Sequence, residues 1–357
     1  MPPFSSVYFS QYLLSSNGTS ALTNGVEMRT KNRSVRPHTI PLLLTAVASI
    51  LVLVPSISSA QALERVDELS SFPIYHLMPM AKKGDVDAEE AIGLKYAYGE
   101  GVKWNLPKGI HWLSKAAHDG SVDADCSLGE LYDDGLLFAG HHMRPDYAKS
   151  VKWYRRAAEK GWCWLQLARA YDDKAGSDAD RNDRALYESD TRAAVHWWRK
   201  EAEPRTSYPA GYPYGKFPKG NPMAQEHMGY LYRFGLGVPQ SYKRALVWYR
   251  RSAAQQGGGD AMMSLAYFYE HGLGVPVNFE LAYIYYGLAP QGLGPQCHQC
   301  TKGNLDELAK KMSPREVVGA QAIVSTWHQG MPLPTAHGLS VMADHADKVM
   351  EKSFFPE

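Results

Sequence analysis

Four cysteines, a histidine pair and an acidic stretch are the residues whose types and spacing could support chemistry. Cys297 and Cys300 are separated by two residues, a spacing found in zinc sites, thiol redox centres and short disulfide loops. The sequence holds no second Cys-x-x-C, and no βαβ pattern surrounds this one. In an oxidising compartment, a disulfide between Cys297 and Cys300 is the interpretation that we favour.

Two further groups resemble metal sites but lack essential ligands. His141 and His142 are adjacent, and adjacent side chains point apart more often than they chelate a metal. The stretch from Asp178 to Asp183 spaces its side-chain oxygens as a calcium loop does. Its sixth position is Asp183 and its twelfth is Ser189, however, where such a loop has Gly and Glu. We therefore predict no metal and no cofactor, but exposed histidines and a solvated acidic segment.

Catalytic signatures are missing from the sequence. We find no Ser-x-x-Lys, no Gly-x-Ser-x-Gly and no His-Glu-x-x-His, the spacings that activate a serine nucleophile or hold a catalytic zinc ion. The 38 basic and 37 acidic side chains give a formal charge of +1, too small to attract nucleic acid over the whole chain. We predict a protein that is not an enzyme and does not bind nucleic acid.

Large aromatic side chains recur together with small residues. A large ring stands three residues after a small residue five times, at Trp112, Trp153, Trp197, Trp248 and Tyr285. Upstream, a second small residue is followed three positions later by tyrosine in every copy: Gly93 and Tyr96, Gly129 and Tyr132, Ala168 and Tyr171, Gly229 and Tyr232, Ala266 and Tyr269. Both spacings fall on one face of a helix, so each copy predicts a helix A, a turn and a helix B.

Glycine explains the predicted turn and the predicted helix packing. In units 1, 4 and 5 the motif Gly-x-Gly-Val follows helix A, and glycine can take the left-handed conformation that ends a helix. The small residue inside helix A should let helix B approach closely, with the large rings as core beside it. Units 2 and 3 carry insertions, and Lys174 replaces the turn glycine in unit 3. The turn of unit 3 must therefore differ.

The combined motifs resemble the Sel1-like repeat, a relative of the tetratricopeptide repeat. They are Ala-x-x-x-Leu-Gly-x-x-Tyr-x-x-Gly-x-Gly-Val and Ala-x-x-Trp-Tyr-x-x-Ala-Ala, within residues 85–292. The resemblance implies an all-α fold, a right-handed α/α solenoid in which helix A lines a concave face. It also implies a protein partner, because adaptors dominate that family.

The repeat pattern gives the boundaries of the predicted units. They lie at 85–120, 121–161, 162–203, 221–257 and 258–292, with a loop at 204–220. Capping helices are expected at 61–84 and 293–329, before a tail at 330–357. Within the second cap, Ser313-Pro314-Arg315-Glu316 is a helix-start signature.

The remaining cysteines fall in units 2 and 3. Cys126 and Cys163 lie in consecutive A helices but two repeat positions out of register. Adjacent helices pack about 8–10 Å apart, whereas a disulfide needs Cα atoms within about 7 Å. We expect buried free thiols, with a second disulfide as the alternative.

The first 60 residues have the pattern of an export signal. Residues 40–54 form an apolar run, four basic residues precede it between Arg29 and Arg36, and Ser58-Ser59-Ala60 suits cleavage before Gln61. We expect an extended leader, a true start at Met28, a cleaved signal peptide and a periplasmic or secreted protein without a membrane span. An uncleaved signal anchor is the alternative, although a span needs about 20 residues.

These expectations favour a non-enzymatic, exported adaptor that binds a protein partner in the bacterial cell envelope. The partner could be an envelope component, a host protein or a secreted effector. Two alternatives remain open through the resemblance: an immunity protein that neutralises a type VI secretion lipase effector, and a β-lactam-binding or hydrolysing enzyme. The second is disfavoured because this sequence lacks a regular cysteine pair in every repeat.

Partner contacts are expected in the loop 204–220 and in the insertions. Four prolines stiffen this loop, which also carries Tyr208, Tyr212, Tyr214 and Phe217. Tyrosine offers large contact area with few torsions to freeze. These rings, His141-His142 and the acidic insertion at 174–190 should form one composite surface, because inserts at equivalent turns emerge on one face. In the alternative, the rings fold back over units 3 and 4.

Overall fold

The computed structural model of the chain describes residues 65–339 except 67, 136, 139–140, 143, 182, 210–215, 256–257, 295–296, 298 and 329. The side chains of 137, 138, 141 and 142 are outside this description as well. The predicted signal segment, with its start at Met28 and its cleavage before Gln61, lies outside the described residues. Within those residues, no helix has the length and apolar character that crossing a membrane requires.

Helices make up nearly all of the regular secondary structure in the described residues. In chain order they are α1 (Ile74–Ala81), α2 (Val86–Tyr98), α3 (Leu106–His118), α4 (Val122–Asp133), α5 (Tyr147–Glu159), α6 (Trp164–Asp180), α7 (Arg184–Ala202), α8 (Pro222–Phe234), α9 (Tyr242–Ala253), α10 (Gly259–His271), α11 (Phe279–Leu293), α12 (Lys302–Ala309) and α13 (Pro314–Thr326). From α2 to α11, even-numbered helices are A helices and odd-numbered helices are B helices. Each helix packs on the one before and the one after it, which is the predicted α/α solenoid arrangement.

Helix ends follow the local sequence signals. Asn105, Asn221 and Asn278 accept hydrogen bonds from backbone N–H groups in the first turns of α3, α8 and α11. Gly235 and Gly272 end α8 and α10 with φ of 72° and 68°. The left-handed glycine caps predicted for units 4 and 5 are therefore confirmed.

Both ends of the solenoid are covered by further helices. At the start, α1 packs on α2 and buries Leu77. At the end, α12 and α13 pack on α11 and bury Leu308 and Ala320. The hydroxyl of Ser313 accepts a hydrogen bond from the N–H of Glu316, whose carboxylate accepts one from the N–H of Ser313. This is the predicted helix start.

Small residues in helix A allow helix B to approach. A Cβ added to Gly129 would lie 2.5 Å from Cδ1 of Tyr154, and one added to Gly229 would lie 2.6 Å from Cδ1 of Tyr249. Tyr154 and Tyr249 directly follow the repeated large ring of helix B in their units, which we call the first ring, and the residue at this following position is buried in every unit: Leu113, Tyr154, Trp198, Tyr249 and Tyr286. The close approach is confirmed, although its partner is not the first ring.

The first rings of the five units differ in burial. Trp248 and Tyr285 are buried as expected. Trp112, Trp153 and Trp197 are only half-buried, so the expectation that they are core residues needs correction. Two adjacent residues lie about 100° apart around a helix, so the residue after the first ring points at helix A, and burial of the first ring depends on what packs beside it.

The repeated tyrosines connect neighbouring units. An arginine of one unit's helix B donates a hydrogen bond to the tyrosine hydroxyl of the next unit's helix A: Arg155 to Tyr171, Arg199 to Tyr232 and Arg250 to Tyr269. Each arginine lies two residues after the first ring of its unit. Sequence analysis identified these tyrosines but missed their arginine partners.

Unit 3 absorbs its insertion by lengthening both helices. The segment at 174–190 is not a loop, because α6 continues to Asp180 and α7 begins at Arg184. Nζ of Lys174, at the place of the missing turn glycine, bonds to Asp178 at 3.0 Å and to Asp190 of α7. The prediction of a solvated acidic segment at 178–183 is therefore wrong for Asp178, which is buried, although Asp180 and Asp183 are exposed.

In unit 2 the insertion contains a short antiparallel hairpin of β1 (Leu137–Phe138) and β2 (His141–His142). Leu137 pairs with His142, and Phe138 pairs with His141. The predicted histidine pair therefore lies in a strand, in an otherwise helical part of the described chain.

Two disulfides occur in the described residues. Cys126 and Cys163 are bonded and buried, with Cα atoms 6.4 Å apart, so the expectation of free thiols is wrong. Cys163 is not inside the helix as assumed. It precedes α6 in a left-handed conformation with φ of 53°, which brings it closer to α4 than helix packing alone allows. The second disulfide joins Cys297 and Cys300, whose Cα atoms are 4.9 Å apart.

Candidate protein-binding surface

The loop between units 3 and 4 folds back at both of its described ends. Tyr208 packs against the core, and its hydroxyl accepts a hydrogen bond from the backbone N–H of Phe217 at 2.7 Å. Both rings are half-buried. The described part of the loop therefore folds back on the solenoid, as in the alternative, but its contacts through Arg205 are with Gly161 of unit 2 and Trp164 of unit 3. Tyr212 and Tyr214 lie outside the described residues, so the composite surface with the histidine pair stays a prediction.

Arg205 fixes the start of this loop. Its guanidinium carbon lies 3.9 Å from the ring centre of Trp164 and 4.5 Å from that of Tyr208. It also donates a hydrogen bond to the carbonyl of Gly161 at 2.7 Å. Lys200 lies 4.1 Å from the same Trp164 ring centre, and loss of hydration, then the charge of Arg205, lower the pKa of Lys200. Cations and rings thus hold the loop on units 2 and 3.

A row of accessible side chains runs along the A helices. Its positions lie one, four and five residues after the small residue of units 2 to 5, and we call it the A-helix row. In units 2 and 3 it forms an acidic half: Glu130, Asp133, Asp134, Arg169, Asp172 and Asp173. In units 4 and 5 it forms an aromatic half: Tyr230, Arg233, Phe234, Tyr267, Glu270 and His271. Every member is half-buried or exposed.

Neighbouring units share the electrostatic field of the acidic half. Partial burial, then the carboxylate of Asp173 on α6, raises the pKa of Asp133 on α4 to about 7. Asp134 adds to this shift and Arg169 opposes it. Since five carboxylates accompany a single guanidinium, this half attracts basic side chains.

Asp172 links the acidic half to the aromatic half. Its Oδ2 accepts a hydrogen bond from the indole N–H of Trp198 at 2.5 Å and lies 3.0 Å from Nε2 of His227. His227 stacks on Trp198 with ring centres 4.1 Å apart. These contacts join α6, α7 and α8, so the two halves form one continuous surface.

The aromatic half consists of rings that are already packed against each other. Tyr230 and Phe234 have ring centres 4.8 Å apart, and Tyr267 stacks on His271 at 4.0 Å. Arg233 of α8 lies 4.4 Å from the ring centre of Tyr267 on α10. Phe234 remains 48% exposed. Tyrosine and arginine are the residue types that contribute most to protein interfaces.

The chemistry of the A-helix row is that of binding. It offers charge, hydrogen bonds and aromatic area. Within residues 65–339 as described, no group of three or more His, Cys, Asp or Glu side chains is placed to hold a metal ion. Loss of hydration, then the neighbouring Asp260, raises the pKa of Glu226 to about 7, which reduces the negative charge beside the aromatic half at neutral pH.

From the sequence we predicted partner contacts in the insertions and in the loop 204–220, but not in the A-helix row. The signal was available in the repeat register, because positions four and five after the small residue are Asp133 and Asp134 in unit 2 and Asp172 and Asp173 in unit 3. Only the structure shows which of these positions stay accessible.

Comparison with known proteins agrees with the fold. The Sel1 repeat family model matches residues 86–121, 122–162, 185–203, 222–257 and 259–289. The first half of unit 3, where α6 extends beyond the usual turn, lies outside these matches. The crystal structure of a Sel1 repeat protein from Oxalobacter formigenes is similar with a TM-score of 0.51 at 22% identity, over 74% of this chain and 98% of that one.

Two curated relatives share shorter regions. Chitin synthase regulatory factor 3 of Schizosaccharomyces pombe is 27% identical over 155 residues, which are 43% of this chain and 14% of the relative. Sel1-like repeat-containing protein R815 of Acanthamoeba polyphaga mimivirus is 32% identical over 87 residues, 24% of this chain and 16% of the relative. The chain thus matches less than a fifth of the length of either relative.

Proposed function

The chain belongs to the Sel1 repeat family, and from this premise we propose that it is a non-enzymatic scaffold whose A-helix row binds a partner protein. Sel1 repeats form right-handed α/α solenoids and generally mediate protein–protein interactions. The observation that carries the assignment to this surface is its continuity. Asp172, Trp198 and His227 join the two halves, so one extended partner segment can contact four units at once.

The composition of the row indicates the chemistry of the partner. Basic side chains of the partner would lie against the acidic half, where Arg169 is the single cation. Apolar or aromatic side chains would lie on Tyr230, Phe234 and Tyr267, which are already stacked and therefore lose little freedom on binding. A segment with a basic end and an apolar end fits both halves.

A capture experiment with two matched variants tests the proposal. The first variant changes Tyr230, Arg233 and Tyr267 to Ser. The control changes Val247 and Val318 to Ser, because these side chains are 50% and 65% exposed on α9 and α13, away from the row. We expect the wild type and the control to retain the same partner from extracts of the source organism, and the first variant to lose it while its circular dichroism spectrum shows that it remains folded. Equal capture by all three proteins would contradict the proposal.

The finer proposal is that this partner lies in the bacterial cell envelope. Its support is the signal pattern of residues 28–60, which predicts export. Fractionation of the source organism should recover the protein outside the cytoplasm with Gln61 at its N-terminus. A cytoplasmic protein that retains residues before Gln61 would contradict export but would leave the binding surface untouched.

Catalysis is tested separately. We expect the purified protein to leave the chromogenic β-lactam nitrocefin unchanged, because the sequence lacks the Ser-x-x-Lys arrangement of serine β-lactamases. Turnover that increases with protein concentration would contradict the non-enzymatic assignment.

A further inference from the structure

The two disulfides lie in opposite environments. Cys126 is 5% exposed and Cys163 is fully buried, and their bond joins segments 37 residues apart. Cys300 is exposed and Cys297 is half-buried, and their bond spans a separation of only three residues. An incoming thiol can therefore reach Cys297–Cys300 without unfolding the chain, whereas it cannot reach Cys126–Cys163.

Reduction of the Cys297–Cys300 disulfide should lower the free energy of unfolding only slightly. A disulfide stabilises a protein by restricting its unfolded chain, and the effect grows with the length of the closed loop. The backbone already turns here without the bond, since the N–H of Cys297 donates to the carbonyl of Gly294 at 3.0 Å and the N–H of Cys300 donates to the carbonyl of Cys297 at 3.1 Å. Buried Thr301 then anchors the start of α12.

The surroundings also suit a thiolate. Cys300 directly precedes Thr301, the N-cap residue of α12, and no side chain forms a capping hydrogen bond at this end. The partial positive charge of a helix N-terminus lowers the pKa of a nearby cysteine.

We propose that Cys297–Cys300 is a thiol–disulfide exchange site that oxidises exposed dithiols of a protein or peptide. This inference goes beyond partner binding and does not depend on the A-helix row.

The reaction is a balanced two-electron exchange. A substrate thiolate attacks Sγ of Cys300, the more exposed sulfur. The Cys297–Cys300 bond breaks, and Cys297 leaves as a thiolate that takes up the proton lost by the substrate. The second substrate thiolate then attacks the substrate sulfur of the mixed disulfide. Cys300 leaves and takes up the second proton, so the substrate becomes a disulfide and the cysteine pair becomes two thiols.

Graded reduction of the native protein tests the first step. The protein is treated with dithiothreitol, alkylated with iodoacetamide and mapped by mass spectrometry. We expect Cys297 and Cys300 to be labelled together, with Cys126 and Cys163 reacting more than about tenfold more slowly. Simultaneous reduction of both disulfides, or resistance of Cys297–Cys300 until the protein unfolds, would overturn the proposal.

A synthetic peptide with two cysteine thiols tests the second step. We expect the oxidised protein to convert one equivalent of this peptide to its disulfide. The control is Cys297→Ser with Cys300→Ser, which should remain folded and leave the peptide reduced. Reduction by dithiothreitol without oxidation of the peptide would show an accessible structural disulfide and would also overturn the proposal.

Discussion

Every unit consists of a helix A and a helix B. The connection between these helices in units 4 and 5 differs from that in units 2 and 3. In units 4 and 5, Gly235 and Gly272 adopt left-handed backbone conformations and end helix A after a fixed number of residues. In unit 3, Lys174 occupies that place, helix A continues, and Lys174 bonds to two aspartates across the lengthened hairpin. Units 4 and 5 therefore form the connection with a left-handed glycine, whereas unit 3 forms it with ion pairs.

The two regions also differ in the bonds that connect neighbouring units and in the side chains that are accessible on helix A. Units 2 and 3 are connected by a buried disulfide in addition to the bond from Arg155 to Tyr171, whereas units 4 and 5 have only the equivalent bond from Arg250 to Tyr269 among these two kinds of link. The accessible row is acidic in the first region and aromatic in the second. Regular repeats thus rely on packing, and the irregular pair relies on a covalent bond and buried charge.

The largest expected effect concerns this covalent bond. Replacing both Cys126 and Cys163 with Ser should lower the free energy of unfolding by about 2–4 kcal/mol, because the bond closes a long loop. The same change at Cys297 and Cys300 should cost less, at most about 2 kcal/mol, because that bond closes a much shorter loop. Denaturant melts of both variants measure the difference. Equal losses would remove the distinction between a structural and an accessible disulfide.

Overpacking tests the reliance of unit 4 on close approach. Gly229→Val should destabilise the protein by about 1–3 kcal/mol, because its new side chain would overlap the ring of Tyr249. The matched control is Gly176→Ala on α6, where an added Cβ meets nothing within 4 Å. The control should be neutral or stabilising by up to about 1 kcal/mol. Coincident melts for Gly229→Val and wild type would refute the packing account.

Removal of the half-buried cation Lys174 tests the ion-paired turn of unit 3. Lys174→Met should cost about 1–3 kcal/mol, because Asp178 and Asp190 would remain buried without their partner. Replacing the aspartates with Asn in the same chain should recover part of this loss. If Lys174→Met melts like the wild type, ion pairing does not hold this hairpin.

The smallest effect concerns pH. The pKa of Asp133 is raised in the folded state to about 7 from 3.8, so folding is favoured while the group is protonated and this stability is lost as pH rises from about 4 to about 7. Asp133→Asn should remove this contribution and narrow the difference in melting temperature between pH 5 and pH 8 by a few degrees. If the melting temperatures of Asp133→Asn and of the wild type change equally between pH 5 and pH 8, the neighbouring carboxylates do not influence Asp133.

Local sequence signals predicted the parts of the fold that depend on nearest neighbours. Gly235 specifies a helix end through its own backbone freedom, and Ser313 with Glu316 specifies a helix start through contacts three residues apart. The A-helix row and the arginine–tyrosine bonds depend on how neighbouring units are aligned with each other. Arg250 and Tyr269, for example, belong to different units and meet only in the folded protein. The backbone turn at Cys163 places it near Cys126, and spacing along a helix did not predict it.

Site-specific photo-cross-linking tests the central claim most directly. A photoreactive phenylalanine analogue is placed at Tyr230 in the aromatic half, at Glu130 in the acidic half, and at Val247 on α9 as the control. After irradiation in the source organism, we expect the same partner protein to be linked from Tyr230 and from Glu130 but not from Val247. Cross-links from Val247 alone, or different partners at the two row positions, would contradict the assignment of the A-helix row as one binding surface.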